Sequence, residues 1–351
     1  MTVSLLSPGD EESWTSFVLS HPSATIYHTL EWRDVTQTLH HRPFYLIAKG
    51  GREQIQGVLP LLYISGIRGR RLVSVPLRDR GGPLSQNAFA TKELLEAAAS
   101  LAREKRCGYA IIKTAESLLP VFEPLGFVQK THYLTTVVPL DSDVKKMWSR
   151  LDSGSVRWAV RKAEKSGVSV VWGEGLADVL SFYRVFLRTR RKLGVPPYST
   201  SLFKTIWDKL TQSGKARFLL AKYHDRVIGG LVLFPFNDRV IEAYSASDER
   251  YLNLSTNDLM VWRAIEWAAR KGYSYFDFGA SSPHQKGLRY FKLKWGGYEV
   301  ALPFYLYLNR SGAAPILDSN APKYQAFRSL WRKVPSPLAR AIGPSVTRQF
   351  D

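Results

Sequence analysis

The chain has 351 residues, 45% of them apolar, with 49 Lys and Arg against 30 Asp and Glu and a formal net charge of +19. That length is generous for one hydrophobic core and comfortable for two, and the apolar content excludes a disordered chain. A single cysteine, Cys107, excludes an intrachain disulfide framework and a thiolate zinc site. The charge favours anionic partners, among them RNA, phosphorylated or uronic glycans and anionic lipid, and it also serves plain solubility. The N-terminus turns acidic at Asp10-Glu11-Glu12, so no signal peptide is expected. No apolar run reaches the roughly 18 residues of a membrane span, and a cytoplasmic protein is expected.

The elements recur. Phe44 to Lys49 and Ile55 to Leu59 read as a hairpin around a charged turn. Leu94, Ala98, Leu101 and Ala102 are helix-spaced and lead into an apolar strand from Cys107 to Ile112, with Phe122 to Phe127 beyond it. The same set follows in the same order: Phe218 to Lys222 with Val227 to Leu231, then Leu259, Trp262, Ile265 and Ala269, then Lys271 to Phe276, then Phe291 to Tyr298. An ordered recurrence offset by about 165 to 175 residues means duplicated domains and not a solenoid. Each half is expected to be a mixed sheet with helices on its faces, so the chain reads as α/β (α+β). Domains are expected at 1–140 and 141–310, with a basic helical tail at 311–351.

Between the halves, Asp141 with Ser142 and Ser153 with Ser155 offer N-caps for two helices. On the second, Arg157, Arg161 and Lys165 are spaced i, i+4, i+8, with Lys162 alongside. Such a stripe neutralises a phosphate or forms a solvated basic face. Further on, Gly194-Val195-Pro196-Pro197 extends the chain towards Tyr198, which reads as a ligand contact or as a packed loop aromatic. Ser255, Thr256 and Asn257 have N-cap chemistry for a later helix. In Tyr273 to Tyr298 a strand ends at Asp277 and Gly279, and a polar loop runs into Phe291-Lys292 and Trp295-Gly296-Gly297. Asp277 reads as a proton acceptor or as a cap of the loop.

The stretch Tyr273 to Tyr298 resembles the signature of the Fem-type aminoacyltransferases (FemAB) and their exopolysaccharide-associated relatives. These are tandem GNAT-fold enzymes that transfer an acyl group to an amine. The repeated order of hairpin, helix, strand, helix and strand resembles the GNAT fold. The chain has no long heptad stretch, so a compact member without a helical arm is expected.

The resemblance implies an acceptor side in the first domain and a donor side in the second. Arg157 matches the first arginine of the family pattern R-x-x-I-[KR]-K-A-x-K-x-G, which contacts a nucleotide-linked acceptor. Trp32, in Tyr27 to Trp32, is similar to the family's S-x-x-W region bordering the acceptor cleft, although the lysine four residues later is Thr36 here. Arg80, Gly81 and Gly82 resemble the R-G-P-V-x-D loop, with Ser85 or Gln86 where its aspartate falls, which implies a different acceptor. A simple β-turn is the other reading of that loop. Phe291 and Lys292 match a paired Phe-Lys that lies against the donor. Acyl transfer develops negative charge on a carbonyl oxygen, so a fixed cation is its natural stabiliser. Lys292 is the first candidate, with Lys294 as a solvent-facing neighbour.

The glycine pair that seats the pyrophosphate of acetyl-CoA in GNAT enzymes does not occur between Asp248 and Asp258. No H-x-x-x-H or G-x-S-x-G motif occurs, and neither a metal nor a bound cofactor is expected. The tail from Pro322 is basic and amphipathic, suited to an anionic membrane or to docking on its own protein. The leading expectation is an acyl- or aminoacyltransferase forming an amide on an amino group of a cell-envelope glycan or its nucleotide-linked precursor. Its donor would be aminoacyl-tRNA or acyl-CoA, and its acceptor an anionic small molecule or glycan. A tRNA contact, a peripheral membrane contact through the tail and a monomeric state complete the expectation. The alternatives are an acyl-CoA-dependent N-acyltransferase of the same fold and a non-catalytic basic protein that binds RNA or a membrane surface.

Overall fold

The computed structural model describes residues 1–67, 69–76, 78–114, 118–309 and 322–349. In chain order the elements begin with β1 Thr2–Leu5, α1 Glu11–Ser20, α2 Leu30–Gln37, β2 Arg42–Lys49, β3 Ile55–Gly66, β4 Gly69–Val73, β5 Leu84–Ser85, α3 Ala88–Glu104, β6 Tyr109–Lys113, α4 Leu119–Phe122 and β7 Phe127–Pro139. They continue as α5 Val144–Arg150, α6 Trp158–Lys165, β8 Ser169–Trp172, α7 Leu176–Leu193, α8 Thr200–Ile206, β9 Arg217–Tyr223, β10 Arg226–Phe236, β11 Arg239–Ser247, α9 Thr256–Arg270, β12 Tyr275–Ser281, α10 Lys286–Leu293, β13 Tyr298–Leu308, α11 Pro322–Lys333 and α12 Ser336–Thr347. Among the described residues the chain forms two compact units, one of residues 1–133, 301–309 and 348–349, the other of 134–300 and 322–347.

The first unit carries a sheet in the order β1-β2-β3-β4-β6. Its β4–β6 pair is parallel, and β6 is then met antiparallel by the Phe304–Leu308 part of β13. The helix-spaced residues lie where the spacing predicts. Asn87 caps α3 by accepting from the Ala90 amide at 2.9 Å, and Leu94, Leu95, Ala98, Leu101 and Ala102 are buried with Leu46, Leu59, Leu72 and Ile112. Cys107 is buried in the same core, and burial pushes its thiol up to about 11, an inert state.

The second unit repeats the plan as β8-β9-β10-β11-β12, again with one parallel pair, β11–β12. Its last strand is the Leu134–Pro139 part of β7, antiparallel to β12. Each unit is therefore finished by a strand from the other half of the sequence. The duplicated hairpin, helix and strand follow the expected order, and the third strands, β4 and β11, join them. Leu259, Met260, Trp262, Ile265 and Ala269 of α9 are buried with Leu219, Leu231, Val240 and Phe276. The helix caps differ from expectation. Asp143, not Asp141 or Ser142, accepts from the Lys146 amide at 3.0 Å, and Asp152 accepts from the Ser155 amide at 2.7 Å. A carboxylate competes better than a hydroxyl for an amide at a positive helix end.

The tail residues 311–321 lie outside the described residues. Beyond them α11 and α12 pack on α7: Trp331 is buried, Arg328 Nε donates to Leu193 O at 3.0 Å, and Thr347 Oγ1 donates to Pro197 O at 3.0 Å. Among the described residues no helix is long and apolar enough to cross a membrane.

Candidate active site

The parallel pair β11–β12 holds register only over Arg239↔Tyr275, Val240↔Phe276 and Ile241↔Asp277. Beyond that rung β11 continues along β10, and β12 continues along β7. The two strands part between Glu242 on one side and Phe278 and Gly279 on the other. Gly279 takes φ +65°, a conformation open to glycine, and a Cβ there would stand 3.3 Å from Glu242 O. Strand β11 also bulges: Val232 faces Tyr244 while Leu233 faces Glu242, so Ala243 is the extra residue.

Lys292 comes to this opening from α10. It is only 5% exposed, and Nζ donates to Phe278 O at 2.9 Å and Gly279 O at 2.8 Å. The carbonyls that the parting strands leave unladdered thus fix an ammonium in the interior. Glu242 lies on the other side of Gly279. Its Oε2 is enclosed and has no hydrogen-bond partner. Burial pushes its carboxyl up to about 7, against the opposing charge of Lys292.

Asp277 is fully buried one rung before the opening, and its carboxylate is engaged on every side. Oδ1 accepts from Thr135 Oγ1 at 2.5 Å and Gly279 N at 2.8 Å, and Oδ2 accepts from Arg239 Nη1 at 3.0 Å. The geometry gives Asp277 a bracing position in place of a proton acceptor's, because an acceptor needs an oxygen that a substrate can reach. Phe291 lies behind Lys292, with Lys294 Nζ over its ring at 4.5 Å and Trp295 at 6.5 Å. Lys294 is not the solvent-facing neighbour expected. It is largely buried and paired with Asp258 in the first turn of α9.

That pairing joins the end of α10 to the start of α9, where Ser255, Thr256 and Asn257 lie. Ser255 is the N-cap residue in a left-handed conformation, without a side-chain cap bond. Thr256 is buried, and Asn257 Oδ1 is enclosed without a partner. Just before them Asp248 is held by Arg250 and Arg188 at 2.5 and 2.8 Å, which lowers its carboxyl to about 2. The opening turn of α9 therefore carries one acidic group, Asp258, already met by a cation.

The residues assigned to the acceptor fall in different places. Arg157 ends a π-helical turn that leads into α6, and its Nε is enclosed without a partner. Arg161 stacks over Trp148 and Lys162 over Trp158, which leaves its own ring 55% exposed. Tyr198 is buried in a cluster with Phe186 and Tyr244 at 6.0 and 5.7 Å, and Arg190 covers its ring at 5.2 Å. Packing accounts for it. In the first unit Trp32 is buried against Tyr27, with Arg78 over its ring at 5.8 Å. Arg80 is buried in a salt bridge with Asp79 at 2.9 Å, Gly81 N donates to Lys113 O at 3.0 Å, and Gly82 O meets His28 Nε2 at 3.1 Å. The loop 80–82 is thus internally braced.

Residues 153–292 match the family model described as Acetyltransferase (GNAT) domain. This stretch spans β8 to β12 and ends on Lys292, so it contains the parted strands. Among solved structures the chain is similar to FemX, at 18% identity over 93% of this chain and 100% of that one, with a TM-score of 0.71. It is also similar to L-PGS from Bacillus licheniformis, at 12% identity over 95% and 99% with a TM-score of 0.59. A tandem GNAT protein from the clavulanic acid biosynthesis pathway matches at 14% identity over 90% and 99%, with a TM-score of 0.57. No curated protein matches. The fold is that of the tandem GNAT proteins, and residues 153–292 match the model of a GNAT acetyltransferase domain.

Proposed function

We propose that this chain transfers an acyl or aminoacyl group to an amino group of a cell-envelope glycan or its nucleotide-linked precursor. The observation that carries the reading is the Lys292 ammonium, fixed at 2.8 and 2.9 Å on Gly279 and Phe278 carbonyls where β11 and β12 part. The amine attacks the donor carbonyl carbon, and the charge of Lys292 stabilises the oxygen that becomes anionic. Because that charge is already oriented by the backbone, little reorganisation is needed during the reaction. Arg157 holds an acceptor phosphate.

Aminoacyl-tRNA is the donor we favour. Asp258, paired with Lys294 in the first turn of α9, puts an acidic group where a pyrophosphate would seek bare amides. A net charge of +19 suits a polyanion. The acyl-CoA reading is kept by one specific finding, the match of residues 153–292 to an acetyltransferase model.

The test is mass-spectrometric detection of product when the pure protein meets total aminoacyl-tRNA or acetyl-CoA, each with amino-sugar nucleotides. Binding is measured in parallel. Charged tRNA should bind better than uncharged tRNA and weaken steeply from low to physiological salt as counterions return. Transfer from acetyl-CoA alone, with no preference for charged tRNA, would put the acyl-CoA reading first.

A further inference from the structure

We infer that the outer face of the two tail helices, α11 and α12, is a docking surface for an anionic lipid bilayer. The inner face is fixed by what it touches. On α12, Ala339 and Thr347 are buried, and Thr347 Oγ1 donates to Pro197 O at 3.0 Å. Gly343 lies between them, and a Cβ there would stand 2.5 Å from Pro197 Cδ. Positions 339, 343 and 347 are one turn apart and form a single stripe. On α11, Trp331 is buried with Phe327 at 5.8 Å, and Tyr324 lies 6.5 Å from Phe327. Arg328 Nε holds the same side to Leu193 O at 3.0 Å. The tail thus turns its aromatic residues and its glycine towards α7 and the loop after it.

The opposite faces carry aliphatic side chains. Leu330 on α11 is 68% exposed, and Leu338 and Ile342 on α12 are 48% and 40% exposed. Ala326 stands one turn before Leu330, and Ala341 and Ser345 continue the α12 stripe, all three exposed. Leu193, the residue of α7 that Arg328 grips, is exposed as well. A single exposed leucine is ordinary, whereas large aliphatic residues gathered on consecutive helices mark an interaction face.

Charge identifies the partner. Residues 322–347 hold five cations, Lys323, Arg328, Arg332, Lys333 and Arg340, and no acid. All of them except Arg328 are exposed. Lys323 and Lys333 stand on either side of Leu330 along α11, and Arg340 falls between Leu338 and Ile342 on α12. Helices of this kind lie in the headgroup region, with the aliphatic side chains at the acyl boundary and the cations on lipid phosphates. Each helix has 12 residues, too few to span, so the contact is peripheral. An RNA partner would meet the cations and leave the leucines in water, because bases stack on aromatic rings, and the rings here face α7. A second copy would bring a face of the same sign against this one, which opposes self-pairing.

The experiment uses the full chain and sucrose-loaded vesicles of phosphatidylcholine, alone or mixed with phosphatidylglycerol, at physiological salt. Wild type should bind the mixed vesicles at least about tenfold more tightly than phosphatidylcholine alone. A triple variant, Leu330→Ser with Leu338→Ser and Ile342→Ser, changes only exposed positions, so its Tm should match wild type. Its affinity for the mixed vesicles should fall about tenfold or more, and its affinity for tRNA should not change. Leu338→Cys adds an exposed thiol to a chain whose single cysteine, Cys107, is buried. A polarity-sensitive dye on that thiol should shift to the blue on the mixed vesicles. No binding to either vesicle overturns the proposal. Undiminished vesicle binding by the triple variant, or a dye that stays in water, reduces the contact to plain charge and overturns it too. Loss of tRNA binding in the triple variant would give the face to RNA, and a wild-type dimer that the triple variant splits would give it to a second copy.

Discussion

Arg239 and Asp277 clasp β11 to β12 at the end of their shared ladder, Nη1 to Oδ2 at 3.0 Å, with Thr135 and Gly279 on the other carboxylate oxygen. The clasp sets where the strands part. Asp277→Ala should leave Arg239 without its buried partner and cost about 2–3 kcal/mol, at the low end for buried pairs because Arg239 keeps access to water. Urea unfolding reads the loss, and kcat per folded molecule should change by no more than a few-fold. An unchanged urea midpoint with turnover abolished would return Asp277 to the role of base.

Lys292→Ala should abolish transfer, raising the barrier by on the order of 3 kcal/mol. It should also destabilise, since Phe278 O and Gly279 O lose a buried donor at about 1–3 kcal/mol each. Both readouts come from one preparation: Tm and single-turnover rate. Near wild-type turnover in the variant would remove Lys292 from the mechanism, whatever its Tm.

Arg157→Ala should raise the acceptor KM about tenfold, roughly 1.4 kcal/mol, and leave the Tm close to wild type. Its Nε is enclosed yet makes no hydrogen bond within the protein, so its loss breaks no internal pair. A lowered Tm with an unchanged KM would make it a packing residue.

His28 makes the first unit sensitive to acid. Thr25 N donates to Nδ1 at 3.0 Å, so Nε2 carries the proton and donates to Gly82 O at 3.1 Å. Burial lowers this imidazole to about 4. The folded value lies below the unfolded one, near 6.5, so the unfolded chain binds protons first as the pH falls. Stability should be full above about pH 6.5, decline towards pH 4 and level off below it, by on the order of 2–3 kcal/mol. His41, also lowered to about 4 by burial, adds to the same window. Tm measured across that range should fall less in His28→Gln than in wild type, and identical slopes would refute the assignment.

The duplication was legible because apolar spacing survives in both copies: Leu94 to Ala102 and Leu259 to Ala269 each became the core helix of a unit. The exchange of final strands was not legible. Phe127–Pro139 and Tyr298–Leu308 look alike as strands, and local pattern carries no record of which sheet edge a strand meets. At the site, Phe291-Lys292 stood out through its resemblance. Glu242 did not, since Val240-Ile241-Glu242-Ala243-Tyr244 reads as an ordinary strand. The available signal was an acid two positions from a core valine, on the face that strand alternation buries. Tyr198 and Arg80 were over-read for the opposite reason. An aromatic in a proline loop and an arginine beside glycines look available until a cluster and an aspartate claim them.

The strand exchange also dictates an order of synthesis. Ile112 of β6 waits for Tyr305, so a ribosome must add nearly the whole second copy before the first sheet gains its last partner. Until then β6 is a bare edge, the kind of surface that recruits a neighbouring nascent chain. Cutting the gene after residue 140 should therefore yield an aggregating fragment and not a domain. Co-expression of that fragment with residues 141–351 should recover soluble protein only if the two pieces associate.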